Sequence, residues 1–92
     1  MMTPEETREA AVAALDELPD WVRRELGEVA VIVEESHPEG LMGIYDPVGG
    51  LQRIVVFREA NPDADEVRKT VLHEIGHYLG MDEDQLHDVG YG

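Results

Sequence analysis

The sequence predicts a small α+β domain built from an N-terminal helix, a three-stranded twisted sheet, a second long helix and a short C-terminal helix. Three observations carry that expectation. The chain has 92 residues, enough for one core only, because a chain this short buries just about two-thirds of the surface it exposes when unfolded. Three short apolar runs stand between loops that hold glycine or proline, which is how strands are punctuated. From Val67 onward apolar residues recur every fourth position, the pattern of one buried helical stripe. Residues 1–92 are therefore read as a single domain.

The first helix is expected from about Pro4. Thr3 is its N-cap, Glu6 follows three residues later as in a capping box, and proline occupies the first helical position, where its missing N–H costs nothing. Ala11, Ala14, Leu15 and Leu18 supply the apolar face. Pro19 and Asp20 interrupt it, and Trp21, Val22 and Leu26 mark a short helical stretch that ends at Gly27 and is expected to pack as a lid over the sheet. Val29 to Val33 is a β-branched strand bounded by Gly27 and the loop Ser36 to Gly40. Leu41 to Tyr45 and Gln52 to Phe57 are the next strands, joined by Asp46 to Gly50, whose two glycines can supply positive φ. Asn61 to Asp65 are turn formers. Val67, Val71, Ile75 and Leu79 then define the second long helix, which Leu72 widens and Gly80 ends. Asp82 with Gln85 resembles the capping box of the last helix.

Composition narrows the chemistry. With no cysteine, neither a disulfide nor a thiolate metal site can exist, so any metal ligands are histidine or carboxylate. A formal charge of −14 repels phosphate backbones, which argues against nucleic acid as a partner. The N-terminus MMTPEETREA has neither the basic head nor the apolar stretch of a signal peptide or membrane anchor, so the expectation is a soluble, cytoplasmic protein without a membrane partner. The oligomeric state is not legible.

His73-Glu74-Ile75-Gly76-His77 is an H-E-x-x-H sequence inside the helix that periodicity places there. Four residues advance about 6 Å along an α-helix and nearly complete a turn, so both imidazoles leave the same face and can close on one ion, zinc by the chemistry of the set. Glu74 lies about 100° further round and flanks the ion. There it is expected to take the proton of a metal-activated water and later pass it to a leaving amine. A zinc that works on substrates keeps three protein ligands and one open position. Past Gly80, Asp82 is the natural helix cap, which leaves Glu83, Asp84 and His87 as candidates for the third ligand. His37, beside Pro38 in a remote loop, is not expected to join them.

His73 to Glu83 follows the pattern H-E-x-x-H-x-x-G-x-x-(H/D/E), and with it the chain resembles the zincin metallopeptidases. More narrowly it is similar to the small bacterial minimal zincins, metallopeptidases with a matrix-metalloproteinase-like domain. LPDWVRREL from Leu18, VAVIVEE from Val29, LMGIYDP from Leu41, RIVVFRE from Arg53 and the stretch from Val67 to Tyr91 carry the likeness. The resemblance implies a zincin-like fold and one zinc ion, held by His73 and His77 with Glu83, at the eleventh position, as third ligand. It also implies Glu74 as general base and a peptide or protein substrate. Relatives more often carry Asp at the position of Glu83, which leaves Asp84 open as the ligand, and the loop between Tyr45 and Arg53 is shorter than in relatives. It has no methionine after the third ligand, so it is not a metzincin, and peptide deformylases are excluded by their cysteine ligand.

The expected activity is zinc-dependent peptide hydrolysis, with Tyr45, His87 or Tyr91 as candidate oxyanion donors and a sheet edge aligning an extended peptide. Two rivals come from other classes: a metal-binding regulatory or interaction module without protease activity, and an acidic interaction domain whose H-E-x-x-H is accidental.

Overall fold

The computed structural model describes residues 1–82 and 84. Helix α1 spans Pro4–Asp16, α2 Asp20–Leu26, strand β1 Val29–Glu34, β2 Gly43–Tyr45, β3 Gln52–Phe57 and α3 Ala64–Tyr78. A short 3-10 turn, Arg58–Ala60, follows β3. The fold is α+β, as the sequence predicts. The short C-terminal helix expected from Asp82 falls mostly on residues outside the described ones. No helix among the described residues is long and apolar enough to cross a membrane.

The sheet is mixed, in the order β1-β3-β2. β1 runs parallel to β3 with Val31 opposite Ile54 and Val33 opposite Val56. β2 runs antiparallel to β3 with Gly43 opposite Val56 and Tyr45 opposite Ile54. Because strand side chains alternate, those pairs share one face. Ile54 and Val56 on that face are fully buried. α1 lies over β1, α3 lies over β2 and β3, and the two helices pack on each other. Val67, Val71, Leu72 and Ile75 of α3 are at most 1 % exposed. At about 1.5–3 kcal/mol for each side chain taken out of water, this stripe outweighs the ~1 kcal/mol of an N-cap. Packing therefore fixes α3 and capping trims its end.

The cap of α1 follows the sequence. The Thr3 hydroxyl accepts from the Glu6 N–H while the Glu6 carboxylate accepts from the Thr3 N–H, a complete capping box. Asp63 accepts from the Glu66 N–H at the start of α3. Three expectations shift. α1 stops at Asp16, short of Leu18, because Glu17 N–H tightens onto the carbonyls of Ala14 and Leu15 and a residue before proline disfavours the α conformation. Leu18 is nonetheless buried. β2 is confined to three residues, with Leu41 and Met42 before it about 40 % exposed. The lid expected from α2 is not what covers the sheet: α1 and α3 do, and α2 contributes Val22 and Leu26 to the edge of the same core. Between β2 and β3, Val48 and Leu51 exchange both backbone hydrogen bonds around Gly49 and Gly50, at φ 56° and 86°. Such a two-residue hairpin turn requires positive φ at both centres.

Candidate metal and peptide site

Packing the Val67–Ile75 stripe onto the sheet turns the next face of α3 toward β2. That face carries Thr70, His73, Glu74 and His77. His73 and Glu74 are half-buried and His77 is exposed, so neither imidazole is sealed in hydrocarbon. The two rings converge. Their Nε2 atoms stand 3.0 Å apart, with ring centroids at 4.5 Å and planes at 83°.

That separation is close to what a shared ion requires. Two nitrogens bound to one zinc at 2.0–2.1 Å with a tetrahedral angle stand about 3.3 Å apart, so the observed pair fits with a small outward relaxation. The protonation pattern fits as well. His77 Nδ1–H donates to the Met81 carbonyl at 3.1 Å, which in the neutral ring makes Nε2 the acceptor nitrogen, facing His73 Nε2. Histidines that ligate a metal usually hold their other ring N–H in this way. Gly80, at φ 87°, turns the chain so that the Met81 carbonyl faces back toward His77, a backbone conformation that β-carbon-bearing residues rarely adopt.

Among the described residues no group of three or more His, Asp or Glu side chains stands together as a metal-holding cluster. Asp82 and Asp84 are exposed and do not complete one. Glu83 and His87, the other third-ligand candidates, lie outside the described residues, as does Tyr91. His37 is elsewhere: its Nδ1 accepts from the Glu39 N–H at 3.0 Å and its ring meets Phe57 edge-on at 5.3 Å. Tyr45, expected as a possible oxyanion donor, gives its hydroxyl proton to Gln52 Oε1 at 2.6 Å. Burial, and secondarily the neighbouring Tyr78, push its hydroxyl pKa up to about 12. It stays protonated, with that proton already committed.

Two connected clefts flank the imidazole pair. One, of about 270 Å³, lies between Leu41, Met42 and Gly43 on one wall and Lys69, Thr70, His73 and Glu74 on the other. The second, of about 370 Å³, continues along Gly43, Ile44 and Tyr45 to His77 and Tyr78. They share Leu41, Gly43 and Glu74, so the two clefts adjoin along β2 with Glu74 lining both, and together they make a groove beside that strand. The first cleft falls below the ~300 Å³ at which pockets begin to hold whole small molecules, and it suits a single side chain better.

β2 is an edge strand. Met42 O accepts from the Phe57 N–H and the Asp46 N–H donates to Arg53 O, so Met42, Ile44 and Asp46 direct their backbone groups at β3. By alternation, Gly43 and Tyr45 direct theirs away from β3, toward the groove side.

Gly43 was not anticipated as part of a site. A β-carbon there would stand 2.7 Å from Thr70 Cγ2, 3.1 Å from the Val55 carbonyl oxygen and 3.7 Å from Glu74 Cγ. The bare backbone is what lets β2 lie directly on the turn of α3 that holds Glu74. A lone glycine in an otherwise apolar strand is the sequence signal for such an approach. Asn61 was read only as a turn former. It is fully buried and bonded to both walls of the groove.

Residues 49–91, just under half of the chain, match the family model described as zincin-like metallopeptidase. The match covers β3, α3 and the H-E-x-x-H residues, and it supports a place for this chain among the zincin-like metallopeptidases. No curated protein matches the chain.

Proposed function

We propose that this chain is a zinc-dependent metallopeptidase that hydrolyses peptide bonds, with His73 and His77 holding the ion, Glu83 as third ligand and Glu74 as general base. The observation that carries it is the convergence of the two Nε2 atoms, 3.0 Å apart, on one side of an open groove beside Glu74. The match to the zincin-like family model supports the same reading. Glu83 rests on its position in the extended motif alone. The whole chain, residues 1–92, is proposed to act as a single domain, in the cytoplasm, on peptide or protein substrates rather than on nucleic acid or membrane.

When bound, zinc polarises a carbonyl and lowers the pKa of a coordinated water to about 7. The protein does the rest. His77 is held in the ligating tautomer by the Met81 carbonyl. The outward backbone groups of Gly43 and Tyr45 can pair with an extended peptide, adding a strand to β2 and setting the scissile amide across from Glu74. The Glu74 carboxylate takes the proton of the attacking water and delivers it to the departing nitrogen. The cleft at Leu41 and Met42 offers an apolar seat for the side chain next to that amide.

A quenched fluorescent peptide library tests this. Zinc-loaded wild type is expected to cleave a subset of peptides, and Glu74→Gln to bind zinc equally but lose turnover. Residual cleavage equal to that of wild type would remove Glu74 from the mechanism. Zinc binding without turnover in wild type would leave the metal-binding module as the reading.

A further inference from the structure

We propose that Asn61 is a positioning residue for this site: it clamps the β2 wall of the groove to α3 and so sets the distance from the peptide seat to Glu74. The inference rests on the reading of Glu74 as general base. Asn61 lies in the connection between the 3-10 turn and α3, far in sequence from β2. Its Nδ2 donates one hydrogen to the Met42 carbonyl at 2.9 Å and the other to the Phe57 carbonyl at 2.8 Å. Its Oδ1 accepts from the Thr70 hydroxyl at 2.6 Å. One amide therefore bonds the residue that leads into β2, the end of β3 and the helix turn preceding Glu74.

Two details separate a clamp from routine satisfaction of buried polar groups. The Met42 carbonyl already has a partner, the Phe57 N–H at 3.0 Å, so it does not need Asn61 to escape burial unpaired. The Thr70 hydroxyl has a local acceptor open to it, since a helical threonine commonly bonds the carbonyl four residues back. It reaches across to Asn61 instead. In both cases a bond that local structure could have closed is used to join two elements.

The consequence reaches Glu74 through contact. Thr70 and Glu74 are four residues apart on one helical face, and Gly43 approaches both, its absent β-carbon position lying 2.7 Å from Thr70 Cγ2 and 3.7 Å from Glu74 Cγ. Nothing bulkier than a hydrogen separates β2 from the base. With Asn61 removed, β2 keeps its pairing to β3, but the separation of that strand from α3 is no longer fixed by a directional bond. A misplacement of about 1 Å between a base and its substrate can cost on the order of 100-fold in rate.

The test uses the full zinc-loaded chain well below its melting temperature, with steady-state kinetics on a cleaved peptide and zinc affinity measured in parallel. For Asn61→Ala, kcat is expected to fall about 100-fold, while KM and zinc affinity stay within about threefold. Thr70→Val, which keeps the shape and deletes the hydroxyl, is expected to lose roughly tenfold in kcat, and Thr70→Ser to stay within about twofold of wild type. A merely structural asparagine would lower activity only in proportion to the folded fraction and would make the two Thr70 variants alike. Folded Asn61→Ala with wild-type kcat, or Thr70→Val indistinguishable from Thr70→Ser, overturns the proposal. If Asn61→Ala does not fold, the Thr70 pair decides. Wild type is assayed first: failure to hydrolyse any peptide overturns the metallopeptidase reading and this inference together, whereas an active wild type with unaffected variants overturns the clamp alone.

Discussion

Helices α1 and α3 are built alike and do different things. Each starts at a side-chain cap, Thr3 or Asp63, with two acids in its first turn. Each buries a stripe, and the stripes pack on one another over the sheet. The outer residues of α1, among them Glu5, Glu9, Ala13 and Asp16, are exposed. On α3 the face beside the buried stripe meets a second wall, β2, and that face holds Thr70, His73 and Glu74. A polar helix face becomes a candidate site when a groove forms beside it, and here the groove exists because Gly43 brings β2 close.

The most severe way to break the parallel is to remove one acid from each helix. Glu74→Gln should lower kcat by about 10²–10⁴-fold, the range of a lost general base, whereas Glu9→Gln on the exposed face of α1 should leave peptide cleavage unchanged.

Next come the stripes. Leu72→Ala should cost about 2–5 kcal/mol of unfolding free energy as a large-to-small change at a buried position. Ala11→Gly should cost only about 1 kcal/mol, since it deletes one methyl and loosens the backbone. Urea denaturation of both variants measures the gap and tells which helix anchors the domain.

Gly43→Ala sharpens the comparison at the groove. The added methyl must displace Thr70 or the Val55 carbonyl, and a loss of about 1–3 kcal/mol is expected, as for overpacked positions. Cleavage should fall by more than the folded fraction, because the same methyl lies against Glu74.

The smallest effects are at the helix starts, where the helices are alike. Thr3→Ala and Asp63→Ala should each cost about 1 kcal/mol. At α1 the cap also sets a pH dependence. Bonds from the Thr3 N–H and hydroxyl hold the Glu6 carboxyl below the usual carboxylate range, and the Arg58 guanidinium does the same for Glu35. A depressed carboxylate stabilises the fold above its unfolded pKa, and that contribution is lost as pH falls through the lowered folded value. Thermal melts of wild type from pH 7 downward should show acid-side destabilisation that Thr3→Ala reduces.

What the sequence revealed follows from the range of each signal. β3 and α3 stand where a bounded apolar run and a fourfold apolar period place them, since those cues lie within the elements they mark. The H-E-x-x-H spacing likewise reported a geometry internal to one helix. Gly43 and Asn61 were missed as site residues for the opposite reason. The partners of Asn61 lie four, nine and nineteen residues away, and no local pattern in residues 58–65 records them. The β2 edge depended on strand order, which a β1-β3-β2 arrangement does not betray in a linear reading. α2 was assigned to the sheet because its apolar residues suit any core, and periodicity does not name the surface it covers.

The central claim is that His73 and His77 jointly hold a divalent ion, and calorimetric titration of metal-stripped chain with zinc tests it most directly. One ion per chain is predicted for wild type, with affinity reduced at least about 100-fold in a His73→Ala, His77→Ala double variant that keeps its circular dichroism. No uptake by wild type, or equal uptake by the double variant, would contradict the account.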